Sequence, residues 1–249
     1  FLNGRKYDGH HILQESFVQI ENAVVFITGA NRGIGLAFAR EALARGAKRV
    51  YAASRQPQHV TLDGVTPIEL DVTRPEQVLR AARDCGDVTL LINNAGVAEL
   101  GGFLLPDALE ALRRQLEVNV FGMQRMALAF APVLAANGGG AMLNVLSIAS
   151  WINRPLLGTY GATKSAAWAL TNGLRHELLQ QGTQVTALHM GFVDTSLTQG
   201  IDAPKSTPQA IVRAAFDGLQ AGLPEVLADD MTRQVKQSLA SATAAYLHA

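Results

Sequence analysis

The sequence predicts an α/β fold: one doubly wound domain whose seven-stranded parallel sheet is flanked by helices. Three observations carry that expectation. From Ala23 onward, short runs of β-branched and aliphatic residues alternate with longer stretches of helical period, the pattern of repeated βαβ units. The first run ends in a glycine-rich turn that passes straight into helical sequence. No Pro/Ser-rich linker, internal repeat or low-complexity tract interrupts the alternation, so a single domain is expected over residues 22–249.

Strands are expected at Ala23–Ile27, Arg49–Ala53, Thr66–Leu70, Thr89–Ile92, Ala141–Leu146, Gln184–His189 and Glu225–Ala228. Leu36–Ala44 reads as the helix leaving the first strand. Ala108–Leu134 is long enough for one extended helix or for a short and a long one, and another helix runs from about Gly158 to Gln180. Thr73-Arg74-Pro75-Glu76 offers a capping box with proline in the first turn, and Ser206-Thr207-Pro208-Gln209 repeats the device. Thr195 to Lys205 is polar and small, without clear period, and reads as a loop or short mobile helices. Residues 1–21 lack an initiator Met and a continuous apolar run and carry the pair His10-His11. They read as a disordered extension or expression remnant rather than a secretory signal.

Composition narrows the function. The 249 residues are 48% hydrophobic and 17% charged, and 21 basic side chains balance 21 acidic ones. A nucleic-acid or membrane-surface binder needs clustered excess Lys and Arg, so neither partner is expected. The apolar stretches read as shorter than the roughly 18 residues a membrane span needs. Cys85, the only cysteine, excludes an internal disulfide and a Cys-based zinc cluster and fits a reducing, cytoplasmic setting. It reads as a buried inert thiol in preference to a reactive one. His59, His176, His189 and His248 show no paired metal-ligand spacing, so no metal site is implied.

The turn after the first strand is Thr28-Gly29-Ala30-Asn31-Arg32-Gly33-Ile34-Gly35. Its glycines let the backbone turn sharply and approach a ligand, while the helix behind it presents free N–H groups to a pyrophosphate. No Lys-Ser/Thr follows, so a dinucleotide fits better than a nucleoside triphosphate; a mere strand-to-helix connection is the competing reading. A dinucleotide site usually places an acid about 20 residues on, to accept from the ribose hydroxyls. Here Lys48 to Pro57 contains none, and the second strand ends in Ala53-Ser54-Arg55. Arg32 and Arg55 converging on a 2′-phosphate argue for NADP over NAD, against the alternative that both are solvated surface residues.

Tyr160 and Lys164 lie four residues apart, on one helix face. A neighbouring cation favours phenolate, so Tyr160 is expected to exchange a proton more readily than its ordinary value of about 10 allows. Ser147 ends the fifth strand, at the carboxyl edge where ligands of open α/β sheets bind, and can donate to a substrate carbonyl while Tyr160 protonates it. Ser150 competes for that role, and either serine also reads as a turn-forming hydroxyl.

These motifs together resemble the short-chain dehydrogenase/reductase family, in its compact branch. Thr28 to Gly35 is similar to the family's TGxxxGxG turn, Asn93-Asn94-Ala95-Gly96 to its NNAG segment and Tyr160 to Lys164 to its YxxxK. Ser147 falls at the active-site serine, and Asn119 resembles the asparagine completing the tetrad. The likeness covers Ala23 to about Asp229 and implies a Rossmann-type fold. It implies Tyr160 as acid/base, Ser147 as the group orienting the carbonyl, and Lys164 on the nicotinamide ribose, lowering the tyrosine pKa. Asn119 would support a proton relay. It further implies that Asp71 and Val72 flank the adenine, that Asn94, Ala95 and Gly96 border the cofactor, and that Gly191, Val193 and Thr195 surround the nicotinamide. Two departures stand out: Met190-Gly191 replaces the usual Pro-Gly, and Leu146 the serine often found before Ser147.

The substrate side is expected to include Ala149, Trp151, Ile152, Leu156, Leu157, Met190 and Phe192, nearly all apolar, with Arg154 the one nearby charge. Such a lining suits an uncharged aldehyde, ketone or secondary alcohol. Relatives pair through the helices carrying Asn119 and Tyr160, so a homodimer or homotetramer is expected, with Trp168, Leu170 and Leu174 offering an apolar face. An NADP-dependent carbonyl reductase or alcohol dehydrogenase is the leading reading. A non-catalytic cofactor-binding sensor is its rival, and an epimerase or dehydratase a third possibility that more often has a longer chain.

Overall fold

The computed structural model describes residues 17–247. Seven parallel strands, β1 (Val24–Thr28), β2 (Arg49–Ser54), β3 (Thr66–Glu69), β4 (Leu90–Asn93), β5 (Ala141–Val145), β6 (Gln184–His189) and β7 (Glu225–Leu227), form one sheet in the order β3-β2-β1-β4-β5-β6-β7. Chain direction reverses its march between β1 and β4, and the crevice outside their carboxyl ends is where such sheets bind ligands.

β1, β4 and β5 are buried along their whole length, because helices cover both faces of the sheet. Strand alternation sends Val25 and Ile27 to one side, against α1 (Gly33–Ala44) and α6 (Pro208–Gln220), where Phe38 and Phe216 meet edge to face at 5.3 Å. Val24 and Phe26 go to the other, against α2 (Pro75–Asp84), α4 (Met123–Ala136) and α5 (Gly158–Glu177), with Phe26 and Phe130 at 4.8 Å.

The expected long helix is α3 (Ala108–Leu116) and α4 joined without a break by a π-helical segment, Glu117–Gly122, which carries Asn119. Contrary to the expectation from run lengths, Ala108–Ala136 contains an 18-residue window of mean hydropathy 1.3, enough by length and composition for a membrane span. Here its Met126, Phe130 and Leu134 are fully buried against the sheet.

Three local expectations are corrected and one holds. The capping box at Thr73 does not form: Arg74 is the N-cap of α2, and Thr73 instead gives its N–H and hydroxyl to the Asp71 carboxylate (2.9 and 2.7 Å). The device at Thr207 does cap α6, accepting from Ala210 N. A ninth-residue-long helix near the C-terminus, α7 (Asp230–Ser238), went unread although Asp229 caps it through Thr232 N. Of the segment set apart as an extension, residues 1–16 lie outside the described residues, as does His248, but Ile20 is fully buried in the core and Gln19 bonds to Gln220.

Candidate active site

The NNAG segment after β4 builds the head of the crevice. Thr28 Oγ1 accepts from the backbone N–H groups of Asn94 and Ala95 (both 2.9 Å), and Asn94 Nδ2 donates back to the Thr28 carbonyl at 2.8 Å. This brace brings two backbones so close that a side chain at Gly35 would place its Cβ 2.1 Å from the Gly29 carbonyl oxygen. Gly29 itself holds φ +68° with Ala95 Cα 3.1 Å from where a Cβ would be. Both positions require glycine for these reasons.

The turn opens into a cleft of about 440 Å³. Gly29, Asn31, Arg32, Gly33, Ile34, Gly35, Ser54, Arg55, Asp71, Val72, Asn94, Ala95, Gly96, Tyr160, Lys164, Gly191, Val193 and Thr195 all line it. Arg55 is exposed at its mouth, where a second, shallower hollow is lined by Asn31, Arg32, Arg55, Gln56 and His59. Arg32 is steadied by Ser196 Oγ at 3.1 Å, whereas the Ser54 hydroxyl accepts from Gln56 N. The narrow glycine turn and the two guanidiniums fit a phosphorylated dinucleotide.

Ser147, Tyr160 and Lys164 occupy the facing wall. Ser147 Oγ accepts from Ala149 N (3.1 Å), and its O–H remains as a donor beside the Tyr160 phenol. Ser150 is buried outside the lining, its hydroxyl without a partner, so it does not share that position. Lys164, 5% exposed, donates to the Val145 carbonyl at 2.9 Å, and its Nζ stands 5.7 Å from the centre of the Tyr160 ring.

The expected lowering of the tyrosine pKa by its lysine does not hold in this geometry. Burial pushes the Tyr160 phenol up to about 12, with the Ser147 hydroxyl pulling the other way, and burial brings Lys164 down to about 8. Burial is the dominant cause of both shifts. The phenol therefore stays protonated at neutral pH.

Asn119 does not line the cleft. Its side chain holds both the N–H and the C=O of Val97 (2.8 and 2.9 Å) and donates to Thr163 Oγ1 at 2.9 Å, so it ties the strand-four loop to the helix that carries Tyr160 and Lys164. The π-helical turn at Asn119 marks an interruption of the kind often found at functional sites.

On the substrate side, Leu157, Met190 and Phe192 line the cleft, but Ala149, Trp151, Ile152, Leu156 and Arg154 do not. Ala149 is buried beneath the Ser147 turn, and Trp151 faces the opposite way, stacked on His189 at 4.0 Å and edge-on to Trp168. Leu174 is buried in the core, whereas Trp168 and Leu170 are partly buried, with Trp168 Nε1 donating to Glu225. Leu100, Leu197, Ile201 and Met231 complete the apolar wall and were missed. The first three sit in segments without period, and Met231 belongs to the unread α7.

A crevice of this build at the switch point of a parallel sheet is that of the α/β dinucleotide-dependent oxidoreductases. The family model described as short chain dehydrogenase matches residues 23–206, and the chain belongs to the short-chain dehydrogenase/reductase family. It is 38% identical to a short-chain dehydrogenase from Burkholderia cenocepacia J2315 whose crystal structure is a complex with NADP; the match covers 90% of this chain and 95% of that one, with a TM-score of 0.87. It is 32% identical over 219 residues to dehydrogenase/reductase SDR family member 4 of Bos taurus, covering 83% of this chain and 78% of that protein. To the galactitol 2-dehydrogenase (L-tagatose-forming) of Cereibacter sphaeroides it is 35% identical over 192 residues, covering 72% of this chain and 75% of the relative.

Proposed function

We propose that this oxidoreductase uses NADP to interconvert a carbonyl and a secondary or primary alcohol on a small, largely apolar substrate, with Tyr160 as acid/base. The observation that carries the reading is the shared wall of Ser147, Tyr160 and Lys164 opposite the glycine-rich turn, continued by Leu100, Leu157, Met190, Phe192, Leu197, Ile201 and Met231. With no charged side chain on that apolar part, an ionised substrate would lose its hydration without gaining a partner.

When bound, the nicotinamide supplies or accepts the hydride; this chain's residues hold it and manage the proton. Arg32 and Arg55 would take the 2′-phosphate by charge-assisted bonds. Asp71 and Val72 would flank the adenine, and Gly191, Val193 and Thr195 would border the nicotinamide. In the direction of reduction, Ser147 Oγ–H donates to the substrate oxygen as negative charge develops on it, and Tyr160, kept protonated by its surroundings, transfers its proton there. Lys164 lies on the same helix face to hold the ribose, and Asn119 fixes the register between the two walls. A cytoplasmic homo-oligomer fits the reading, with Leu109, Phe121 and Leu128 the exposed apolar residues of the α3–α4 helix.

The test is NADPH oxidation with hexanal, benzaldehyde, cyclohexanone and acetophenone, with Tyr160→Phe as control. Turnover that falls by roughly 100-fold or more in the variant at unchanged NADPH affinity supports the reading. Tight NADPH binding without Tyr160-dependent turnover of any of the four would overturn it in favour of a cofactor sensor.

A further inference from the structure

Behind Ser147, on the side away from the cleft, lies a polar cluster that the proposed chemistry does not use. His189, the last residue of β6, is completely buried, its ring stacked on Trp151 with 23° between planes. Nδ1 is 3.1 Å from the Ser147 carbonyl oxygen. A carbonyl only accepts, so Nδ1 carries the hydrogen and donates. The same oxygen accepts from Ser150 N at 3.0 Å, so both its lone pairs are engaged. On the far side of the ring, Nε2 stands 3.6 Å from Glu225 Oε1. Glu225 is itself fixed by Trp168 Nε1 (2.8 Å) and Lys236 Nζ (2.6 Å), and the Lys236 ammonium lies over both indoles, 4.6 Å from Trp151 and 5.2 Å from Trp168.

We propose that His189 is a positioning residue for Ser147, its ring held by the Trp151 indole stacked on its face. The inference rests on the reading of Ser147 as the group that orients the substrate oxygen. Two bonds to its carbonyl help to hold the peptide plane that follows Ser147 Cα, the atom that carries the side chain. The Ala149 N–H then holds Oγ, which lies at the cleft wall beside Tyr160. The N–H of the same peptide unit, that of Ile148, pairs with the Met190 carbonyl at 2.8 Å, so the β5–β6 ladder holds one edge of the plane while His189 and Ser150 N hold its carbonyl edge. An apolar residue of similar volume at position 189 would fill the space and remove one of the two donors to that carbonyl. Placement of reacting groups is sensitive on the scale of an ångström.

Three variants of the full-length chain separate this role from core filling. His189→Asn keeps a donor near the place of Nδ1, His189→Gln carries its amide out toward Glu225, and His189→Leu has no donor. With the fastest of the four carbonyl probes, His189→Leu and His189→Gln are expected to lose at least about tenfold in kcat at unchanged NADPH dissociation constant, and His189→Asn to recover most of it. Amide exchange at Ala149 and Ser150, read without any substrate, is expected to quicken in His189→Leu and not in His189→Asn. Equal kcat in the three folded variants overturns the proposal, as does unchanged exchange in His189→Leu. Failure of all three to fold assigns His189 to the core alone and overturns it too. If instead Tyr160→Phe turns over like the unmodified enzyme, it is the reading of the site that fails.

Discussion

The Asp229 carboxylate accepts a 2.7 Å hydrogen bond from the backbone N–H of Gly191, joining the start of α7 to the turn after β6. Its other oxygen caps α7 at Thr232 N, 2.8 Å away. The turn is the one where Met190-Gly191 stands in place of the family's Pro-Gly, so a side-chain tether supplies constraint that a proline ring would otherwise give. Met231, beside the cap, lines the cleft. Asp229→Ala removes both bonds and is expected to cost about 1–3 kcal/mol in urea unfolding. Because the turn borders the proposed nicotinamide site, KM for NADPH should rise more than kcat falls. A stability loss with KM untouched would confine Asp229 to its helix.

Lys164 carries a stability cost that the site requires. Burial lowers it from 10.5 to about 8, so below pH 8 its charge opposes folding by about 3 kcal/mol. Between pH 8 and 10.5 the unfolded chain holds a proton that the folded chain has released, and stability rises with pH across that window. Lys164→Met removes the term while leaving the Val145 carbonyl without its donor. The variant is therefore expected to lose turnover, to be up to about 2 kcal/mol more stable at pH 7, and to lack the rise above pH 8. Thermal melts across that range decide it; the same upward slope in both proteins would locate the titration elsewhere.

The sheet and the head of the cleft were legible because their physics is local. A run such as Val24–Thr28 has to be a buried strand, and the glycines at 29, 33 and 35 follow it directly. What stayed hidden depended on residues far apart in sequence. Trp151 is apolar and near Ser147, as a substrate contact would be, yet it packs on His189, 38 positions later. The Tyr160–Lys164 spacing placed the pair on one helix face but could not show that burial governs the titration of both. Met231 reaches the cleft only through α7, whose fourth-turn-free length and polar composition hide it, since its buried residues are only Thr232 and Val235.

Arg32 and Arg55 line both the cleft and the hollow at its mouth, which makes cofactor choice a matter of charge at that end. Arg55→Ala is expected to weaken NADPH by about tenfold while leaving NADH unchanged, the value of one charge-assisted bond. Adding Ser54→Asp places a carboxylate where a 2′-phosphate would lie and should carry the preference over to NADH. Titration of each dinucleotide by fluorescence checks both steps. If the double variant keeps its preference for NADPH, the arginines do not read the phosphate.

Glu225 links acid stability to the cluster behind Ser147. The His189 ring beside it, then the Lys236 ammonium and the Trp168 N–H, hold its carboxyl down to about 2 against the cost of its burial. The His189 Nε2–Oε1 distance of 3.6 Å is too long for a hydrogen bond, so the 2.6 and 2.8 Å contacts with Lys236 and Trp168 are the firm part of that lowering. A lowered carboxyl stabilises fully above its ordinary value near 4.5, and the contribution is lost as pH falls toward 2. The difference amounts to about 3 kcal/mol, an upper figure because the Lys236 side of the pair is partly open to solvent. Glu225→Gln keeps an acceptor of the same shape but no charge. It is expected to be less stable at pH 7 and to show a flatter decline between pH 4.5 and 2. Parallel acid-denaturation curves for the two proteins would mean that other carboxylates govern the acid limb and that the Lys236–Glu225 contact contributes little.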